Sequence, residues 1–111
     1  MTHIVRLSDY RHRRTGRVYF TRFELSLLLG VYSEHVARGE WKDYAIDHTT
    51  GIALFSVFRH TAERPAFAIA KIQTPRGADF AVFDDKRKLK RSAVLADALR
   101  VFDKGLRLVT D

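Results

Sequence analysis

The spacing of apolar residues along the chain changes period after Gly39. Before it, Leu25, Leu28, Leu29, Tyr32 and Val36 recur at intervals of three and four, while Glu24, Ser33, Glu34 and Arg38 fall mostly elsewhere. That is the signature of an amphipathic helix. Its start is marked by Thr21-Arg22-Phe23-Glu24, a capping box in which the Thr hydroxyl accepts the Glu24 amide and the Glu carboxylate accepts the Thr21 amide. Phe20 is placed to staple onto Leu25, and Gly39 offers a left-handed stop. The pattern predicts a helix over about 22–38. Leu27 and Val31 widen its apolar surface beyond one stripe, so it is expected to be touched on two sides.

After Gly39 the period falls to two and β-formers dominate as far as Asp84. Four strands are expected: 43–48, with Tyr44, Ile46 and His48 on one face, then 52–60, 66–73 and 79–84. The turns between them, at Thr49 to Gly51, Thr61 to Arg64 and Pro75 to Gly77, are too short for a parallel crossover, so an antiparallel meander follows. The second of these strands sends Phe55 and Val57 one way and Leu54 and Phe58 the other, so both of its faces call for cover. A further helix is expected with Ser92 as N-cap, burying Val94, Leu95, Ala98, Leu99 and Phe102 and ending at Gly105. Ile4 to Leu7 and Arg17 to Phe20 also have strand character. The order (β)-β-α-β-β-β-β-α makes this an α+β fold, an antiparallel meander sheet of four to six strands with two helices. The expected organisation is a basic N-terminal segment at 1–16, one domain at 17–105 and a short tail at 106–111.

A chain of 111 residues is one domain of ordinary size, which leaves no room for a second core. The longest apolar run, Leu27 to Tyr32, is far short of the ~20 residues that cross a bilayer. The N-terminus lacks an apolar signal core and cysteine is absent, so a cytoplasmic protein without disulfides, thiolate chemistry or membrane association is expected.

Charge alters this plain picture. The net charge is +7, and it is unevenly spread: residues 1–23 carry +5, residues 24–85 carry −3 and residues 86–111 carry +5. The basic residues Arg11, Arg13, Arg14 and Arg17 alternate with Tyr10 and Tyr19, a mixture suited to phosphate contact and base stacking. Lys86, Arg87, Lys88, Lys90 and Arg91 precede the expected helix start at Ser92. Cations there oppose the helix dipole, at roughly 0.3–1 kcal/mol, and a bound phosphate would relieve them. The competing reading is a solvated loop partly neutralised by Asp84 and Asp85.

Other chemistries find little support. No nucleophile elbow, phosphate-binding loop or dinucleotide fingerprint occurs. Asp84-Asp85 reads as a solvated turn, and Asp43 with Asp47 as the polar side of an edge strand. His3, His12, His35, His48 and His60 lack metal-ligand spacing, and the expected hairpin sets His48 beside Ile52 rather than His60, so no metal site and no cofactor are expected. Arg76 to Phe83 partly matches an RNA-recognition strand but lacks an aromatic where a base would stack, which leaves Phe80 and Phe83 as packing residues. Trp41 reads as a core anchor at the joint between helix and sheet, or as an interface hot spot.

The segments VYFTRFELSLLLGVYSEHVARGEWKDYAIDH (Val18 to His48), RPAFAIAKI (Arg64 to Ile72) and FAVFDDKRKLKRS (Phe80 to Ser92) resemble a family of short basic proteins, chiefly alphaproteobacterial, known as a domain of unknown function. The resemblance implies a bacterial cytoplasmic protein of one domain and lends no catalytic motif, cofactor or site residue. The functional expectation is a non-enzymatic nucleic-acid- or transcription-associated protein, contacting phosphates through Arg11, Arg13, Arg14, Arg17, Lys86, Arg87, Lys88, Lys90 and Arg91. The alternative is an adaptor that binds an acidic protein partner or forms a homodimer through a sheet face.

Overall fold

The computed structural model describes residues 16–60 and 64–103. Helix α1 (Arg22–Ala37) is followed by five strands, β1 (Asp43–Thr49), β2 (Ile52–Phe58), β3 (Phe67–Thr74), β4 (Gly77–Phe83) and β5 (Lys88–Ser92), and by a short helix α2 (Leu95–Ala98). The strands pair antiparallel in the order β1-β2-β3-β4-β5, an open meander. The α+β class and the four central strands agree with the sequence pattern. Of the two upstream candidates, Arg17 forms a single bridge with Thr50, while Ile4 to Leu7 lie outside the described residues.

Both ends of α1 are built as the sequence implies. Glu24 N donates to Thr21 Oγ1 at 3.1 Å and Thr21 N to Glu24 Oε1 at 2.7 Å. At the other end Gly39, at φ 76°, donates to the Val36 carbonyl and Glu40 to the His35 carbonyl, both at 2.8 Å. These are the two bonds of a Schellman motif, which needs a left-handed residue where Gly39 stands.

Direct register partners share a face, so Phe55, Ile69, Phe80 and Val82 lie together on one side of the sheet. They join Leu28 of α1, Trp41 and Leu95, Ala98, Leu99 and Phe102 in one buried cluster. The helices therefore cover a single face. On α1, Leu28 and His35 are buried, whereas Phe23 and Val36 are exposed. Leu27 and Val31, which widen the apolar surface, are half-buried and pack against the core together with Leu25, Leu29 and Tyr32, and His35 takes the inward place assigned to Val36.

The largest departure concerns Lys86 to Ser92, expected as a loop capped into a helix. Lys88–Ser92 is instead the edge strand β5, paired along β4. Pairing gives the backbone groups of β4 partners that a loop would leave to water. Beside Val82 and Phe83 the register shifts: Lys90 opposes Val82 and Lys88 opposes Phe83, and the extra residue, Leu89, packs against the core. Ser92 ends the strand, and its Oγ accepts the Val94 amide. The N-cap of α2 is Val94, without a side-chain cap bond and exposed rather than buried. Helical geometry resumes at 100–103, and Gly105 lies outside the described residues.

The other face carries Ala45, Ser56, Ala68, Ala70 and Ala81, flanked by half-buried Leu54, Phe58, Ile72 and Phe83. No described element covers it. No described helix is long and apolar enough to cross a membrane.

Candidate functional site

The strand directions gather three connections at one end of the sheet. β1 begins opposite the end of β2, at Asp43 and Phe58, and β4 ends opposite the start of β5, at Phe83 and Lys88. Lys42, the β2–β3 connection from Arg59 to Ala66 and the β4–β5 turn from Asp84 to Arg87 consequently share this end. The turn is organised by Asp84, whose Oδ1 accepts the amides of Lys86 and Arg87, each at 2.9 Å. Those two bonds, Lys86's first, hold the Asp84 carboxyl below the usual carboxylate range, with the Arg87 and Lys86 charges adding to them.

The predicted cations do not share one place. Lys86, Arg87 and Lys88 lie at this loop end, with no carboxylate within 4 Å among the described residues. Arg91, opposite Ala81 on the uncovered face, is paired with Asp79 through both Nε and Nη2 at 2.9 Å. Lys90, on the covered face, lies 3.6 Å from Asp97 of α2. Asp97 is held below its usual range by a Ser92 hydroxyl bond first, with Lys90 and Arg100 adding to it. The helix-dipole conflict expected for this run does not arise, because the run is a strand and Asp97 faces Lys90. Arg17 sits at the opposite end, against Thr50 and β1, with four strand spacings of about 4.8 Å across the sheet to β5. Arg11, Arg13 and Arg14 lie outside the described residues.

Lys42, Arg59 and Arg64 join this end from parts of the chain the charge pattern did not single out. A cavity of about 540 Å³ opens among them, walled by His35, Trp41, Phe67, Leu89 and Phe102, with Lys42 and Arg59 also lining it. A second, of about 520 Å³, shares Arg59, His60 and Phe67 and continues to Arg64, Asp84 and Asp85. The Arg59 guanidinium carbon lies 5.8 Å from the Phe67 ring centre, a cation–π contact at the shared wall.

The aromatic wall is built around Trp41, 3% exposed and therefore a core anchor. His35 stacks on it at 3.9 Å and 11°, and Phe102 meets it edge-on at 5.3 Å. The Val31 carbonyl accepts a hydrogen bond from His35 Nδ1 at 2.8 Å, one helical turn back. In the tautomer whose one ring proton is on Nδ1, Nε2 is an acceptor. Sequence spacing could have found this residue, since His35 follows Leu28 by seven positions, two turns along the same face.

Other candidates resolve simply. Asp43 and Asp47 are exposed on edge strand β1. His48 opposes Ala53 rather than Ile52, because Thr49 closes the hairpin against Ile52; its ring packs 4.5 Å from Tyr19, at the other end of β2 from His60. Phe80 is buried in the core and Phe83 half-buried on the uncovered face. Among the described residues no three His, Asp or Glu side chains group as a metal site would require.

A one-sided antiparallel meander whose loop end joins an aromatic cavity to exposed cations defines a small α+β protein. The chain belongs to the family described as protein of unknown function (DUF2794), whose model matches residues 18–98. No curated protein and no solved structure matches it.

Proposed function

We propose that this is a non-enzymatic binding protein of the alphaproteobacterial cytoplasm that engages nucleic acid through its phosphates. One observation carries the reading: Lys42, Arg59, Arg64, Lys86, Arg87 and Lys88 collect at one end of the sheet with no carboxylate within 4 Å among the described residues. Connections distant in sequence supply them, so the concentration of charge is a product of the fold. Asp84 and Asp85 in the same turn, Asp43 at the start of β1 and Glu40 beside the cavity offset part of this charge and leave a smaller positive excess at this end.

Binding of single-stranded and duplex oligonucleotides, measured across salt concentrations, tests this. The log–log slope is expected at about −0.9 per phosphate contacted on duplex and −0.7 on single strands. Replacing Arg59, Arg64, Lys86 and Arg87 by Gln should weaken binding and flatten the slope, whereas Arg17→Gln should do neither. A wild-type protein that binds no nucleic acid at low salt removes the reading. A second reading, association through the sheet face with another copy or an acidic protein, is favoured by the half-buried Leu54, Phe58, Ile72 and Phe83 on the uncovered side.

A further inference from the structure

We infer that the aromatic cavity is a site for a nucleobase bearing an amino group, its attached phosphate resting on Arg59 and Arg64; this deepens the nucleic-acid reading and rests on it. The cavity, at about 540 Å³, falls in the size class of small-ligand sites, and its walls are predominantly apolar and aromatic, as a planar base requires. The second cavity leads from the shared Arg59 to Arg64 on one side, with Asp84 and Asp85 also in its lining, so an anion attached to the base has cations beside it only on the Arg59–Arg64 side.

The polar groups narrow the ligand further. His35 is 6% exposed, and its Nδ1 is committed to the Val31 carbonyl. Its Nε2 makes no hydrogen bond among the described residues, and the nearest carboxylate oxygen, Glu40 Oε1, stands 3.8 Å away. That distance is too long for a hydrogen bond, and although Glu40 Oε2 faces Arg38 Nε at 3.7 Å, Glu40 Oε1 and the His35 Nε2 lone pair of this tautomer are open to a ligand. Two neighbouring acceptors suit an N–H donor and repel a carbonyl oxygen. Cytosine presents an amino group where uracil presents a carbonyl, so these pyrimidines isolate the discriminating contact.

Trp41 is the sole tryptophan and forms part of the wall, so its fluorescence reports occupancy directly. Titrating the full chain with cytidine 5′-monophosphate should change that emission saturably, with uridine 5′-monophosphate about tenfold weaker or more. Glu40→Ala, at an exposed position, should narrow the difference between the two nucleotides without unfolding the protein. An oligocytidine and an abasic oligomer of equal length separate a base held in a strand from a free nucleotide. Loss of the Trp41 change with the abasic oligomer, while salt-dependent binding persists, supports a base in the cavity. If the abasic oligomer binds as tightly as oligocytidine and neither mononucleotide alters Trp41 emission, the cavity assignment falls and the phosphate reading stands. Saturable binding of cytidine 5′-monophosphate without binding of any oligomer supports the cavity and overturns the phosphate reading as a polymer site. Equal binding of the two nucleotides overturns the role given to His35 and Glu40.

Discussion

Lys71 lies on the covered face of β3, opposite Phe80, where its Nζ donates to Glu24 Oε1 and to the Tyr19 carbonyl, both at 2.9 Å. The two ionic side chains are 12% and 16% exposed, so water screens the pair only weakly. Glu24 thus closes the capping box and ties the start of α1 to the sheet. Lys71→Met keeps the packed stem and removes the charge; it should cost about 1.5–3 kcal/mol, the range for hydrogen bonds to charged groups. A double-mutant cycle with Glu24→Gln, read from urea midpoints, should give a coupling of about 0.5 kcal/mol or more, and a coupling of zero would dissolve the bridge. Asp84 and Asp97 supply the pH dependence at this scale. Both have folded pKa values below their unfolded ones, so their stabilisation is present above the ordinary aspartate value near 3.9 and disappears as pH falls through the folded values. The stability gap between wild type and Asp84→Asn should therefore narrow as pH is lowered from about 5 through the ordinary aspartate value near 3.9 and below it, and a gap that widened would contradict the sign.

The elements show which local signals suffice. α1 is legible because both ends are encoded within a few residues, and two substitutions test the two ends separately. Thr21→Ala should cost about 0.5–2 kcal/mol by removing the cap. Gly39→Ala should cost about 1–2 kcal/mol, and space is not the reason: a Cβ there meets nothing within 4 Å, leaving the left-handed φ of 76° as the sole penalty. A thermal midpoint unchanged by either would void the corresponding cap. Strands β1 to β4 are legible because apolar residues alternate within them and short turns separate them. β5 is not, since Lys88-Leu89-Lys90-Arg91-Ser92 holds one apolar residue and is made a strand by the open edge of β4. Its cations also blunt the new edge, which discourages pairing with another sheet. The loop-end site was hidden for a related reason: charge runs reveal Lys86 to Arg91, but only the meander brings Lys42, Arg59 and Arg64 beside them.

For the molecule as a whole, the sheet is a partition. The helices and the aromatic cavity lie on one side, while Leu54, Phe58, Ile72 and Phe83 lie on the other. Self-association through that second face would bring together two copies of its charges, Asp43, Asp47, Asp79, Lys88 and Arg91, around a centre of small alanines that offers little interlocking relief. Pairing β5 with β5 or β1 with β1 around a two-fold axis would set like charges together along the edge. The expected outcome is an unfolding midpoint that does not move between about 1 and 100 μM protein, because only a folded state held by a partner copy gains stability with concentration. A midpoint that rises with concentration favours the sheet-face reading. In that event Leu54→Lys with Ile72→Lys should abolish the rise while leaving oligonucleotide affinity at or slightly above its wild-type value, since these side chains are separated from the cavity by the sheet. Loss of both properties together, in a variant that still unfolds cooperatively, would show that the two faces form a single site rather than two separated by the sheet.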